Sequence, residues 1–152
     1  MRLELRRHVR AWAPPRAELA RWADTALGAR AGGELGVAVV GHAESRRLNA
    51  RYRGRDQATN VLSFPAPAQP RGALPRSLGD LVVCPGVLRR EARAQAKSLR
   101  AHWAHLIVHG TLHLIGYDHE RARDARRMER REIAVLKRLG FANPYRSMSG
   151  DG

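Results

Sequence analysis

Residues 99–116 read Leu99-Arg100-Ala101-His102-Trp103-Ala104-His105-Leu106-Ile107-Val108-His109-Gly110-Thr111-Leu112-His113-Leu114-Ile115-Gly116. From Trp103 to Ile115 this stretch contains no Asp, Glu, Lys or Arg. Leu99, Trp103, Ile107, Gly110 and Leu114 recur at helical spacing, and Val108, Leu112 and Ile115 fall on the far side. A helix that is apolar nearly all round belongs in the centre of a fold, not on its surface. Yet it carries four imidazoles, on His102, His105, His109 and His113. The rest of the chain has to wrap around this helix, and the histidines need a reason to be there.

Working outward, Leu3, Leu5 and Val9 alternate within residues 2–9, as in a strand, and Pro14-Pro15 open a helix running to about Ala29. Gly32-Gly33 break that helix before a buried strand at Leu35–Val40, and residues 43–52 read as a short helix. Asn60–Phe64 is a further strand, stopped by Pro65. Residues 65–77 hold Pro65, Pro67, Pro70 and Pro75 without helical period, which predicts a mobile loop lining a site. Leu81–Cys84 is a strand, residues 86–97 a basic helix, and residues 120–139 a last helix capped by Gly140, before a polar, frayed tail from Asn143. Strands and helices interleave. The expectation is one mixed α+β domain over residues 1–152, with a small, mostly parallel sheet of about four strands packed with helices around the central histidine helix.

Composition bounds the function. A chain of 152 residues is one domain by size. Its 43% hydrophobic and 28% charged residues are a globular mix, not a disordered or membrane one. No apolar run approaches the ~18 residues of a membrane span, and the start lacks the apolar core of a secretory signal. A cytoplasmic protein is expected. Cys84 is the only cysteine, so a disulfide scaffold is excluded. There are 28 basic residues against 14 acidic, a net charge of +14, and nearly all the basic ones are Arg. That excess points to a polyanionic partner such as nucleic acid. Aromatic residues make up only 5%, so binding should lean on phosphates rather than base stacking, and weaken steeply with salt.

His109 and His113 stand at i and i+4, on one helix face a turn apart. Two imidazoles so spaced can share a metal ion. Gly116 ends the helix, Tyr117-Asp118 turns the chain, and His119 can close on the same point. Three imidazoles suit zinc and leave a fourth position open, the pattern of a catalytic rather than a structural site. His105 lies too far along the helix to join that sphere easily and is assigned a supporting or packed role, and His102 a structural one. Asp118 either orients a ligand imidazole or shapes the turn. Cys84 is read as buried and outside the site. A zinc protease of the H-E-x-x-H type needs Glu after its first His, and Gly110 stands there, which disfavours peptide hydrolysis.

Basic charge clusters at Arg46, Arg47, Arg51, Arg53 and Arg55, a segment without acid. Arg89, Arg90, Arg93 and Lys97 have only Glu91 against them. In the last helix Glu120, Asp124, Glu129 and Glu132 dilute the arginines, and it reads as a solvated face with internal i, i+4 pairs.

The run His109-Gly110-Thr111-Leu112-His113-Leu114-Ile115-Gly116-Tyr117-Asp118-His119 resembles the signature H-G-x-L-H-L-x-G-Y-D-H of the YbeY endoribonuclease (rRNA maturation factor) family. Two further blocks agree. One is Leu48-Asn49, Tyr52-Arg53-Gly54-Arg55-Asp56 and Thr59-Asn60-Val61-Leu62-Ser63-Phe64-Pro65; the other is Gly79-Asp80-Leu81-Val82-Val83-Cys84. The resemblance covers about residues 35–145. The chain departs from it at Gln57-Ala58, where many members have Lys-Pro, and at Ala66, where many have Phe. The resemblance implies a single-strand-specific endoribonuclease acting in maturation of the 3′ end of small-subunit ribosomal RNA and in ribosome quality control. It implies one zinc ion on His109, His113 and His119, and an arginine needed for activity at Arg53. Ribosomal RNA and the small ribosomal subunit are the implied partners, with ribosomal proteins or an assembly GTPase as further candidates and no membrane. A fixed Arg suits phosphodiester cleavage, because its fork matches phosphate. A second reading is a ribosome-assembly RNA-binding factor whose zinc is mainly structural. A third is a metallohydrolase for another substrate.

Overall fold

The computed structural model describes residues 1–30, 32–74 and 76–146. The expected mixed α+β domain is present. Its elements run β1 (Arg2–Arg7), α1 (Arg16–Leu27), β2 (Glu34–Val39), α2 (His42–Arg53), β3 (Val61–Pro65), β4 (Ser77–Val83), α3 (Pro85–Ala94), α4 (Leu99–Leu114) and α5 (Ala122–Arg138), with a 3-10 turn at Gly28–Arg30. The four strands form one sheet in the order β1-β2-β4-β3. β1–β2 and β2–β4 are parallel, and β3–β4 is antiparallel. The sheet is therefore mostly parallel, with one antiparallel edge strand.

Alternation sorts the sheet's two faces. Leu3, Leu35, Val37, Val39, Leu81 and Val83 enter the core with Trp22, Trp103, Ile107 and Leu112. On the other face Arg6 and Asp80 pair at 3.3 Å across the Gly36 backbone. α4 lies in the middle, packed against α1, α3, α5, β3 and β4. Most of its residues are buried, as its lack of charge requires.

β4 starts four residues earlier than its apolar run suggests. Ser77-Leu78-Gly79-Asp80 is poor strand sequence, but pairing with β2 on one side and β3 on the other overrides propensity. α3 ends at Ala94 rather than near Lys97: Ala96 takes a left-handed conformation (φ 53°), and Lys97 N–H bonds back to Ala92 O at 2.9 Å. That stop frees Ser98 to cap α4, its hydroxyl accepting from Ala101 N–H at 3.1 Å. The proline-rich segment after β3 is tied rather than loose at Gln69, whose side-chain amide exchanges two hydrogen bonds with the Ser77 backbone. Among the described residues of that segment only Pro65, the end of β3, borders the cleft described next. No helix among the described residues is long and apolar enough to cross a membrane.

Candidate metal centre and its cleft

α4 ends in a Schellman motif, which the sequence encodes through Gly116. Gly116 N–H bonds to His113 O at 3.1 Å, and Tyr117 N–H bonds to Leu112 O at 3.0 Å. The motif requires a left-handed residue after the helix, and Gly116 has φ 104°. The chain then reverses. Asp118 Oδ1 accepts the His119 and Glu120 N–H groups at 2.7 and 3.1 Å, so of its two expected roles the structure shows the turn.

The reversal brings the three expected histidines together. The His113 ring lies 4.7 Å from the rings of both His109 and His119, and His109 and His119 are 5.5 Å apart. Their available nitrogens all lie within 4.8 Å of one another. His113 is held neutral: burial first, then the neighbouring His109 and His119, push it down to about 4. A neutral imidazole with a free lone pair is what a metal ion needs. Donor type and convergence fit a metal ion, as does the neutral His113 ring.

Gly110, directly after His109, packs against Leu81 of β4 and Ser63 of β3. A Cβ there would meet Leu81 Cδ2 at 2.8 Å, so the Glu of a zinc protease has no room. His102 is structural, as expected: it is buried and its Nε2 pairs with Glu91 at 2.9 Å. Cys84 is buried and outside the group.

Arg53 ends α2 and lines the same cleft. Its Nη2 donates to Ser63 O at 2.9 Å, and its guanidinium lies 5.8 Å from the Phe64 ring centroid. The cleft has a volume of about 1110 Å³, and Arg55, Asn60 and Lys97 also line it.

The reading of α5 as a solvated face with internal ion pairs is corrected at Glu132. That side chain is only 1% exposed, and among the described residues no ion pair lies within α5. Glu132 instead meets His105 Nε2 at 2.9 Å, His109 Nδ1 at 3.1 Å and the Tyr145 hydroxyl at 2.9 Å. His105 thus hydrogen-bonds Glu132 and lies outside the group formed by His109, His113 and His119. Tyr145 lies in the tail read as frayed, where Asn143 Oδ1 also accepts its N–H at 2.8 Å; residues 147–152 are outside the described chain. The signal that would have found Glu132 is its place in the buried stripe of α5 with Met128, Val135 and Leu136. His105, His109 and Glu132 form a second group whose donor atoms lie within 4.8 Å of one another.

Fold and site together define a small α+β domain with a metal-compatible histidine centre and an arginine lining one cleft. Comparison with known proteins specifies the family. The family model described as Endoribonuclease YbeY matches residues 8–140. The chain is 54% identical over 143 residues to an Endoribonuclease YbeY of Alkalilimnicola ehrlichii, covering 90% of this chain and 85% of that one. It is 54% identical over 139 residues to one of Bordetella pertussis, covering 86% and 87%. A solution structure from Thermotoga maritima matches with a TM-score of 0.53 at 21% identity, covering 98% of this chain and 100% of that one; it supports the fold. The chain belongs to the Endoribonuclease YbeY family.

Proposed function

We propose that this chain is a zinc-dependent, single-strand-specific endoribonuclease of the cytoplasm. Its substrate is the unprocessed 3′ end of small-subunit ribosomal RNA, and it also acts in ribosome quality control. The observation that carries the reading is the convergence of His109, His113 and His119 in a cleft that Arg53 also lines, in a chain with net charge +14.

The three imidazoles would hold the ion. When bound, zinc supplies Lewis acidity toward a phosphoryl oxygen. The chain's own residues do the rest. Arg53 spends Nη2 on Ser63 O and keeps further N–H donors for a phosphate, whose non-bridging oxygens gather charge as the phosphodiester is cleaved. Tying the guanidinium to a strand carbonyl fixes its position before substrate arrives, which cuts the ordering cost. Arg55 and Lys97 extend the positive lining, so the RNA backbone can be held on either side of the reacting phosphate.

The test is cleavage of an RNA carrying the unprocessed 3′ end, by wild type and His113→Ala purified side by side and given zinc. Cutting by wild type alone is expected. Equal cutting by both would overturn the assignment of activity to this centre. No cutting by either would shift the reading to an RNA-binding assembly factor with a structural zinc.

A further inference from the structure

Glu132 needs a reason to be buried. A carboxylate inside a protein is costly unless it is paired and hydrogen-bonded, and replacing such a group with an apolar one is often neutral or stabilising. Among the described residues neither Lys nor Arg pairs with it; its partners are His105, His109 and Tyr145. Three groups converge on its Oε1, His105 Nε2 at 2.9 Å, His109 Nδ1 at 3.1 Å and the Tyr145 hydroxyl at 2.9 Å, an arrangement of donors around a carboxylate. An ionised carboxylate only accepts hydrogen bonds. Every group touching it must therefore donate.

For His109 the consequence is chemical. Its Nδ1, 3.1 Å from Glu132 Oε1, must carry the proton, and the lone pair of the neutral ring then sits on Nε2. Glu132 is itself held from two sides. The Tyr145 hydroxyl is 2.9 Å from both of its oxygens, and His105 Nε2 is 2.9 Å from Oε1. His105 Nδ1 is buried without a partner, so its proton is placed on Nε2, facing the carboxylate.

We propose that Glu132 is a positioning residue of the histidine centre: it fixes His109 as the Nδ1–H tautomer, presenting Nε2 to the point shared with His113 and His119, while Tyr145 and His105 lock the carboxylate in place. The inference rests on the reading of those three histidines as a metal site. It couples the last described turn of the chain to the centre through a single hydroxyl. It also assigns the group formed by His105, His109 and Glu132 to hydrogen bonding rather than to a second ion.

Two measurements on the full chain test it, and the first needs no metal. Nitrogen-15 NMR of the metal-free protein reads the tautomer of each histidine. His109 is expected as Nδ1–H; a proton on Nε2 overturns the proposal. The second is zinc affinity by competition with a chelator for wild type, Glu132→Gln, Tyr145→Phe and His105→Ala, with the metal-free thermal midpoint of each. Glu132→Gln should weaken zinc binding about ten- to a hundredfold, the usual cost of losing such a partner. Tyr145→Phe should weaken it less. A folded Glu132→Gln with wild-type affinity overturns the proposal, as does a His105→Ala that loses zinc as completely as His113→Ala, which would place the ion in the second group. Should Glu132→Gln not fold, the wild-type tautomer decides. Wild type that binds no zinc yet shows His109 as Nδ1–H would sink the zinc reading and leave the Glu132–His109 positioning standing.

Discussion

The two walls of the cleft are built differently. The histidine wall comes from one buried helix and the turn that ends it, and hydrogen bonds from a second helix stand behind it. The arginine wall is a helix-end side chain tied by Nη2 to one backbone carbonyl. Its second contact, from Nη1 to Tyr52 O, is 3.4 Å long. The difference matches the proposed tasks. Metal ligands must converge within a few tenths of an ångström on a point the protein chooses. A phosphate-binding arginine meets a ligand that brings its own geometry, so it needs direction more than rigidity. Ser63 on β3 joins the walls: its carbonyl accepts from Arg53, and its hydroxyl donates to Gly110 O on α4 at 3.3 Å.

The sharpest break of this comparison is His113→Ala. It removes one of three convergent donors, and both zinc binding, read by chelator competition, and RNA cleavage should be lost. Arg53→Lys should separate the walls. Lysine keeps the charge but loses the fork that reaches Ser63 O and phosphate together. Cleavage should fall on the order of 10²-fold, the scale of losing one preorganised donor, while zinc affinity stays at the wild-type value. A parallel loss of zinc would show that the walls are not independent.

How much of each wall the sequence disclosed follows from how it is built. His109, His113 and His119 lie within eleven residues, and helix periodicity plus a glycine stop is enough to converge them. Arg53 is one of five arginines between residues 46 and 55, and no spacing rule distinguishes it. Only the family resemblance picked it out; in the structure it lines the same cleft as the histidines. Glu132 escaped because α5 is so rich in charge that one more glutamate reads as surface. Its place in the stripe of Met128, Val135 and Leu136 hints at burial, but what it meets there depends on α5 packing on α4, a tertiary contact that local sequence does not carry. The strand order escaped for the same reason: β3 precedes β4 in sequence yet takes the edge.

Gly110→Ala tests the seam. Alanine gains up to ~1 kcal/mol of helix propensity over glycine. Against that, its methyl would sit 2.8 Å from Leu81 Cδ2 and 3.3 Å from Ser63 Oγ. Leu81 is fully buried and has little freedom to move aside, and overpacking of this kind costs ~1–3 kcal/mol. The cost wins by about 1 kcal/mol, a fall in thermal midpoint of roughly 2–4 °C for a domain of this size. Because the strain falls on Ser63, cleavage should drop further than zinc affinity. A rise in thermal midpoint would mean that the seam is loose.

The smallest effect is expected at the far end of the cleft, beyond both walls. Glu91 there is 30% exposed and accepts from Asn60 Nδ2 at 3.1 Å and from His102 Nε2 at 2.9 Å. Burial pushes its carboxyl up, but the hydrogen bonds from His102 and Asn60 win and hold it below its ordinary 4.5. The folded chain therefore binds fewer protons here than the unfolded chain as acid is added. The stability this group contributes is present above pH 4.5 and is lost as pH falls through its lower folded value. Glu91→Gln removes that titration. In metal-free protein its urea midpoint should lie below wild type at neutral pH, and the gap should close as pH drops below 4.5. Cleavage at neutral pH should hardly change, because Glu91 touches neither the histidine centre nor Arg53. A gap that stays constant with pH would assign Glu91 to packing alone, and a large loss of cleavage would extend the working part of the cleft past the two walls to Asn60 and His102.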